Sequence, residues 1–421
     1  MNMEEGMKLI LKKSLTQWPS IIILMCGCGL VCSGQTPTPA EQPKPEPKPW
    51  LDIYGFAMMD AGYDFKQVHP DWFDVVRPVK LPSKKDEFGA DGNTYFSVRQ
   101  TRFGAKSEVP TKLGALKTHF EFELFGTGAD AGKTTFRLRH AYGELGHFGA
   151  GQTWSPFMDI DVFPNSVEYW GPNGMVFFRN VQFRWMPVQG DSRVTIALER
   201  PGASADQGRY ADRIELQDVR PHFPAPDISG EARLGRKWGY VEVAGILRRI
   251  EWVDIGTDQY DLSGGTWGWG VNLSSNLKVH RDNVIKLQLV YGKGIQNYMN
   301  DAPADVGPVP NPNNTRTPLS GKPLPLLGIV AFYDHYWNEK LSSTIGYSRL
   351  DIDNSTGQAD NAFRVGQYAV TNLLYYPVKN VMAGGEFQYG YRKNFRDGWS
   401  VPDYRIQFSF KYNFSFRIGG S

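Results

Sequence analysis

Hydrophobic and polar residues alternate strictly along residues 403–417, which read DYRIQFSFKYNFSFR. One set of alternate positions is apolar and mostly aromatic (Tyr404, Ile406, Phe408, Phe410, Tyr412, Phe414 and Phe416), and the other set is polar (Arg405, Gln407, Ser409, Lys411, Asn413, Ser415 and Arg417). Successive side chains of an extended chain point to opposite faces, so a period of two predicts a β-strand. The aromatic face of this strand belongs either in the core of a soluble β protein or against lipid.

Similar alternation recurs along the chain. It is clearest in residues 116–124, 192–198, 284–291 and 381–392, whereas no helical pattern longer than about ten residues follows Trp50. The polar faces of these segments carry long charged side chains, and the apolar faces end in Tyr, Trp or Phe. Aromatic residues at strand ends are typical of membrane β-barrels, in which they form girdles at both interfaces. The pattern therefore predicts an all-β chain that forms a transmembrane antiparallel β-barrel.

The turn signals alternate between short and long connections. Short ones lie at residues 110–112, 187–190 and 377–380, and long polar ones lie at residues 66–92, 199–227 and 295–325. Short periplasmic turns and long external loops alternate in this way in outer-membrane barrels. Roughly 370 residues, at about 23 per strand and connection, predict about 16 strands, and fourteen or eighteen also fit.

Composition is compatible with a barrel and excludes other classes of protein. Aromatic residues make up 14% of the 421 residues, and the formal net charge is only +2, without the basic excess of a nucleic-acid-binding protein. A mean hydropathy of −0.41 is too polar for a bundle of membrane helices. A barrel tolerates this value because only every second strand residue meets lipid.

The N-terminal residues predict export. Lys8, Lys12 and Lys13 precede the apolar run IIILMCGCGLVC (residues 21–32), which is typical of a signal peptide spanning residues 1–34. A membrane anchor or a lipoprotein acylated at Cys28 or Cys32 are the alternatives. All three cysteines of the chain lie in this segment, so disulfides and cysteine metal sites are not expected beyond it. Residues 35–49 read as a Pro-rich periplasmic tether, and residues 50–421 as the barrel domain in the outer membrane of a Gram-negative bacterium.

Basic residues on the polar faces are the candidates for lining a pore. Alternation places Phe136, Leu138 and Tyr142 toward lipid, and Arg137 and Arg139 toward the lumen. The predicted pore-lining basic residues are Arg99, Arg102, Lys106, Arg137, Arg139, Arg184 and Arg193. The alternative is that these arginines only pair with lumen carboxylates such as Glu121 and Glu123. Both interpretations can hold, because a pore needs its charges partly paired and still accessible to the solute.

A segment without period-two alternation follows residue 154. It contains Pro156, Pro164 and Pro172, and strand character resumes near Val176. About twenty residues rich in proline, aromatic and acidic side chains after the fifth strand predict a constriction loop folded into the lumen, although an ordinary external loop is the alternative. Its candidate residues are Asp159, Asp161, Glu168, Tyr169 and Trp170. We expect its acidic residues to face the arginines, so that a transverse field orients charged solutes.

Motifs for catalysis, cofactors or metals are weak. GTGADAGKTT (residues 126–135) has Thr127 where a phosphate-binding loop needs its first glycine, and it lacks the flanking strand and helix of such a loop. The seven histidines show no metal-ligand spacing, and no nucleophile with a base is recognisable. The sequence therefore predicts no enzyme, no cofactor and no metal site.

One block of the sequence resembles a known family. RLRHAYGELGHFGAGQTWSPFMD (residues 137–159), EYWGPNG (168–174) and FRNVQFRW (178–185) resemble the DcaP-like family of trimeric outer-membrane porins, and residues 372–392 and the final strand are similar to its C-terminal strands. The resemblance extends over about residues 50–418. It implies a 16-stranded barrel, a homotrimer and passive uptake that favours anions such as dicarboxylates. Some family members carry a helical coiled-coil segment at the N-terminus, where this chain has the Pro-rich tether.

Together these observations predict a porin through which small hydrophilic solutes diffuse. Its expected partners are outer-membrane lipid and lipopolysaccharide, the barrel assembly machinery, small anionic solutes and two further copies of the chain. A sugar-specific channel is one alternative and would need a track of aromatic rings, to which Trp154, Tyr169 and Trp170 could contribute. An outer-membrane barrel enzyme is the other.

Overall fold

A computed structural model describes residues 48–280 and 282–420. The predicted signal peptide and residues 35–47 of the predicted tether lie outside this part of the chain. Sixteen antiparallel strands, named β1 to β16, form the wall of a closed barrel in the described residues. The predicted fold class and strand number are confirmed. No helix in this part of the chain is long and apolar enough to cross a membrane.

The wall strands have the following bounds: β1 Trp50–Asp64, β2 Asn93–Ser97 continued by Arg102–Thr111, β3 Gly114–Phe125, β4 Thr134–Leu145, β5 Phe148–Trp154, β6 Arg179–Val188, β7 Arg193–Glu199, β8 Asp227–Arg236, β9 Gly239–Asp254, β10 Gly264–Lys278, β11 Val284–Lys293, β12 Pro325–Asn338, β13 Leu341–Ile352, β14 Phe363–Tyr375, β15 Val381–Asn394 and β16 Ser400–Gly419. Three short strands lie in the loops: Val219–His222, which extends the wall beside β9, and the pair Val306–Pro310 and Leu319–Pro323.

The first and last strands close the barrel. β1 pairs with β16 from Trp50 opposite Gly419 to Asp64 opposite Arg405, and it pairs on its other side with both parts of β2. Each wall strand thus has two neighbours, so the sheet has no free edge. A closed sheet is the form in which strands can cross lipid, because every backbone polar group finds a partner within the wall.

Side chains alternate across the wall as the sequence predicts. On β16, Phe408 is 58% exposed on the outer face, whereas Gln407 and Ser409 on the inner face are fully buried. On β3, Phe120 lies on the outer face and Glu121 is buried inside. The outer face therefore presents an apolar, aromatic surface, and the inner face presents polar and charged groups to the lumen.

Alternation fails at one position in β4. The pairing of β3 with β4 shifts between Glu121 opposite His140 and Phe122 opposite Leu138, so Arg139 is an extra residue. A bulge of this kind reverses which side chains point inward beyond it. The expectation that Tyr142 faces lipid is therefore wrong, since its ring lies inside the barrel 5.1 Å from the Arg184 guanidinium carbon.

Long connections lie at one end of the barrel and short turns at the other, as predicted. Three long loops are important for the interior: L1 (residues 65–92), L3 (155–178) and L6 (294–324). Residues of L3 and L6 form a hydrophobic core inside the barrel with the inner faces of β9 to β14, among them Phe157, Met175, Ile295, Leu324 and Tyr298. L1 connects β1 and β2 at the long-loop end, as predicted, and it also packs into the lumen through Val76, which the sequence did not indicate.

Candidate functional site

L3 crosses the lumen, as the sequence predicts for a constriction loop after the fifth strand. Near its start, Asp159 is fully buried and accepts hydrogen bonds from Arg233 Nη2 at 2.6 Å, Tyr240 Oη at 2.7 Å and Ser274 Oγ at 2.6 Å. These partners lie on β8, β9 and β10. The first part of L3 is therefore fastened to that side of the wall.

The middle of L3 is fastened to a different side. The Val167 backbone N–H donates to Glu386 on β15 at 3.1 Å, and Ser166 Oγ donates to the same carboxylate at 3.0 Å. Gln407 on β16 donates to the Val167 carbonyl at 3.0 Å. Since these anchors lie on opposite sides of the barrel from Asp159 in strand order, L3 spans the interior rather than covering its rim.

The inner face of β2, β3 and β4 carries an arginine cluster built around two buried glutamates. Arg139 bridges them, with Nε 2.6 Å from Glu121 Oε1 and Nη1 2.6 Å from Glu123 Oε2. Arg102 lies beside them, with Nη2 3.3 Å from Glu123. Arg139 keeps the inward direction that alternation from Arg137 gives it, and the bulge in β4 then places His140 opposite Glu121 on the same inner face.

Two further arginines and L3 complete the arginine cluster. Arg137 lies 3.6 Å from Glu123, Arg179 at the start of β6 lies 3.9 Å from it, and the Tyr169 hydroxyl of L3 donates to the same carboxylate. Four guanidinium groups against two carboxylates leave the cluster two formal positive charges. Arg179 was missed in the sequence because it lies at the junction of loop and strand, where alternation gives no signal.

The wall across β7, β8 and β9 has the opposite balance. Arg193 lies 3.0 Å from Glu231 and 2.9 Å from Glu242, and Arg233 lies 2.6 Å from Glu242. Arg233 also binds Asp159 and Asp161 of L3. Two arginines against four carboxylates leave this acidic cluster two formal negative charges.

A cavity of about 400 Å³ lies between L3 and the arginine cluster. Its basic lining comes from Arg102, Arg139 and Lys411, and its apolar lining includes Phe163 of L3 and Phe56 of β1. The Lys411 ammonium lies 4.1 Å from the centre of the Phe56 ring. Sequence alternation places Lys411 on the polar face, but it gave no reason to select it.

Lys106 and Arg184 lie nearer the short-turn end. Both line a second cavity of about 240 Å³ together with His119 and Tyr142. Arg184 donates to the Gln182 side chain at 2.8 Å and to the Trp154 carbonyl. These two predicted residues therefore lie on the inner face, apart from the arginine cluster.

Three predicted residues do not face the lumen in the expected way. Arg99 is 1% exposed because it binds Asp74 of L1 at 2.9 Å, so it cannot meet a passing solute. The Asp159 carboxylate is fully occupied by its three hydrogen bonds to the wall.

Glu168 of L3 is buried as well. It is 2% exposed and accepts hydrogen bonds from the Val76 backbone N–H at 3.1 Å and from the Gly171 N–H. Desolvation raises the pKa of Glu168 to about 7. Of the acidic candidates in L3, Asp161 alone keeps an exposed carboxylate.

The aromatic candidates are stacked on other groups of the chain. The Tyr169 ring lies parallel to Phe125 with centroids 3.9 Å apart. The Trp170 ring is covered by the Arg77 guanidinium at 4.0 Å, and the Trp154 ring by that of Arg179 at 4.6 Å. A sugar-binding track needs free ring faces, and these contacts occupy one face of each ring.

Comparison with known proteins identifies relatives of this chain. Residues 31–414 match the family described as DcaP outer membrane protein, so the resemblance seen in residues 137–185 is confirmed. The crystal structure of the outer membrane channel DcaP of Acinetobacter baumannii has 21% identity and a TM-score of 0.71, and the match covers 86% of this chain and 97% of that chain.

Two more distant structures share the fold. An anion-selective porin from Comamonas acidovorans has 10% identity and a TM-score of 0.53, with 86% and 99% of the two chains covered. An in-vitro folded outer membrane protein OmpT of Vibrio cholerae in its trimer form has 12% identity and a TM-score of 0.51, with the same coverage. A comparison with curated proteins gave no match.

Proposed function

Because this chain belongs to the DcaP outer membrane protein family, we propose that it forms a water-filled channel in the outer membrane of a Gram-negative bacterium. Small hydrophilic solutes diffuse through it, and anions such as dicarboxylates pass most readily. The relative from Acinetobacter baumannii is a channel, and the more distant structure from Comamonas acidovorans is an anion-selective porin. These descriptions support the proposal by analogy with proteins of the same fold.

The observation that carries the anion preference is the excess of guanidinium groups in the arginine cluster. Arg102 and Arg137 keep about a quarter of their side chains exposed, at 24% and 30%, although they lie near Glu123. Guanidinium groups stay charged at any physiological pH and bind carboxylates through paired N–H donors. A passing carboxylate therefore finds donors that the two glutamates do not saturate.

The Lys411 side chain lies beside the cavity under L3 and adds a further positive charge. It lines this cavity together with Arg102 and Arg139, and its ammonium lies 4.1 Å from the centre of the Phe56 ring. One such charge several ångströms from an anion changes the energy of that anion by roughly 1–3 kcal/mol before salt screening. We infer that Lys411 and Lys106 continue the favourable potential from the arginine cluster toward the short-turn end.

The proposed assembly is a homotrimer embedded in lipid and lipopolysaccharide. The trimer form of the Vibrio cholerae relative and the family resemblance support it. The barrel assembly machinery is the expected partner during insertion, since the final strand presents seven apolar residues at alternate positions. Crosslinking of the purified protein in detergent should yield a trimer band, and a monomer alone would contradict this part of the proposal.

The anion preference is tested by reconstituting the protein in planar bilayers with a salt gradient. We expect a zero-current potential with the sign of an anion-selective channel. The double variant Lys106→Gln/Lys411→Gln should reduce this potential. The matched control Lys340→Gln should leave it unchanged, because the Lys340 side chain is exposed in a short turn. Liposome swelling should be faster with a dicarboxylate than with a neutral sugar of similar size. Equal swelling rates would favour the sugar-channel alternative, and absence of conductance would refute the channel itself.

A further inference from the structure

L1 lies inside the barrel mouth and packs against the inner wall. Val76, Pro78 and Leu81 of L1 contact the inner faces of β14 and β15 at two glycines. A Cβ atom on Gly390 would lie 2.8 Å from Val76 Cγ1, and one on Gly366 would lie 2.9 Å from Pro78 Cβ. Glycine in a strand interior commonly marks such a close approach. The wall is thus shaped to receive L1.

Inward-pointing arginines hold the backbone of L1 in this position. Arg405 donates to the Phe73 carbonyl at 2.9 Å, and Arg392 donates to the Val79 carbonyl at 2.7 Å. Both arginine side chains are buried. The Trp399 indole N–H also donates to the Pro82 carbonyl at 2.8 Å. Lifting L1 from the lumen would leave buried donors without partners, so L1 is a fixed part of the interior and not a lid.

L1, L3 and L6 meet at Arg77. Its guanidinium carbon lies 4.0 Å from the Trp72 ring and 4.0 Å from the Trp170 ring, so it is held between an indole of L1 and one of L3. Asp301 of L6 accepts from Arg77 Nε at 2.9 Å and from the Val79 backbone N–H at 2.9 Å. Trp170 donates through its indole N–H to the Asn300 carbonyl at 2.9 Å.

The contact of L1, L3 and L6 at Arg77 lies directly beside the arginine cluster. Trp72 packs on Phe125 with ring centroids 6.3 Å apart, and Phe125 stacks on Tyr169, whose hydroxyl reaches Glu123. Asp74 of L1 binds Ser97 at 2.6 Å and Arg99 at 2.9 Å in the gap between the two parts of β2. L1 therefore contacts the residues that flank the arginine cluster on its long-loop side.

We propose that L1 is a second constriction element, which sets the size limit of the channel together with L3, while the arginine cluster sets its charge preference. The inference rests on the proposed channel function. It assigns a positioning role to Trp72 and Arg77, which are largely buried and hold L1 in the lumen. The role is separate from anion preference, because the indole and the backbone carbonyls of L1 add bulk without adding net charge.

Shortening L1 tests this inference. Asp64 and Asn93 are paired neighbours on β1 and β2, so residues 69–88 can be replaced by a short Gly-Ser link without stretching the wall. We expect single-channel conductance to rise about twofold and the exclusion limit for graded polyethylene glycols to rise, since conductance follows pore radius. The zero-current potential should keep its sign.

A milder variant guards against misfolding of the shortened protein. Trp72→Ala removes one ring and leaves the Arg77 pair with Asp301 in place, so we expect a smaller rise in conductance and in the polymer exclusion limit. Its matched control is Trp267→Ala, because Trp267 is 53% exposed on the outer face, and this control should behave as the unchanged protein does.

The outcomes are distinguishable. If the shortened protein and Trp72→Ala both conduct and exclude polymers as the unchanged protein does, L1 is not a constriction element. If only the sign of the zero-current potential differs from expectation while conductance rises, the anion preference fails and the role of L1 stands. Failure of the unchanged protein to conduct would refute the proposed function itself.

Discussion

At the scale of single residues, the inner wall carries charges that are buried in tight ion pairs and charges that stay partly exposed. Arg139 is 4% exposed and forms the two shortest ion pairs of the arginine cluster, both at 2.6 Å. Arg137 lies 3.6 Å from Glu123, and nearly a third of its side chain is exposed. Both residues are arginines two positions apart on the same strand, so alternation along the sequence assigns them the same role.

Replacing Arg139 by Gln should therefore destabilise the barrel far more than replacing Arg137 by Gln. The first change leaves two buried carboxylates without their closest partner, which typically costs about 3–5 kcal/mol. The second removes a partly exposed pair worth about 1 kcal/mol or less. The temperature at which the folded species disappears on semi-native gels measures the difference, and equal losses for the two variants would contradict the assignment.

The buried Glu168 carboxyl should make the stability of the folded protein depend on pH. Burial raises its pKa to about 7 from the ordinary value of 4.5, so the folded protein holds this proton between these values while the unfolded chain releases it. This contribution of Glu168 to the free energy of unfolding is fully present below about pH 4.5 and is lost as pH rises through about 7, on the order of 3 kcal/mol in total.

Unfolding temperatures measured from pH 5 to pH 8 should fall with pH for the unchanged protein and fall less steeply for Glu168→Gln, whose amide oxygen can still accept from the Val76 and Gly171 N–H groups. The difference between the two curves isolates Glu168 from other titrating groups. Parallel curves would mean that Glu168 is ionised in the folded state throughout this range.

At the scale of elements, local irregularities decide what lines the lumen. The bulge at Arg139 turns Tyr142 inward, the gap in β2 between Ser97 and Arg102 admits Asp74 of L1, and the proline-rich L3 crosses the barrel. Period-two alternation predicts the regular strands well but is blind to a single extra residue. It also gives no register between strands, which determines that Arg139 meets Glu121 and Glu123.

Cysteine scanning of β4 tests the bulge. A cysteine at Tyr142 should react with a membrane-impermeant thiol reagent, because the bulge turns this position toward the lumen, whereas a cysteine at Ala141 should face lipid and remain unlabelled. Strict alternation from Arg137 onward predicts the reverse. Cysteines at Lys286, on the inner face, and at Phe120, on the outer face, serve as positive and negative controls, so labelling at Ala141 without labelling at Tyr142 would disprove the bulge.

At the scale of the whole molecule, the barrel was predictable and the filling of its interior was not. Alternation, aromatic strand ends and turn spacing predict the closed wall, because these signals are local and repeat in every strand. The packing of L1 depends on hydrogen bonds with Asp301, Glu168, Arg392 and Arg405. The two residues of each such bond are 92 to 332 positions apart in the sequence. Nothing within residues 65–92 distinguishes such a loop from an external one.

Closure by the last strand is the property on which the whole wall depends. Ending the chain after Tyr404 removes all fifteen paired positions between β1 and β16 and also strips β15 of most of its partners. Each backbone group left unpaired in the hydrocarbon region costs several kcal/mol. We therefore expect no folded species that changes mobility on heating and no protease-protected barrel when this truncated chain is refolded into detergent or lipid.

The control is a chain that lacks only residues 419–421. It gives up a single pairing, Trp50 opposite Gly419, at the very end of the seam, and it should fold, insert and conduct as the full chain does. The contrast between the two truncations separates the loss of a seam from the loss of a C-terminal tail. If the chain ending at Tyr404 still formed a protected barrel, β1 would have to pair with another strand, and the closure described here would not be what stabilises the molecule in the membrane.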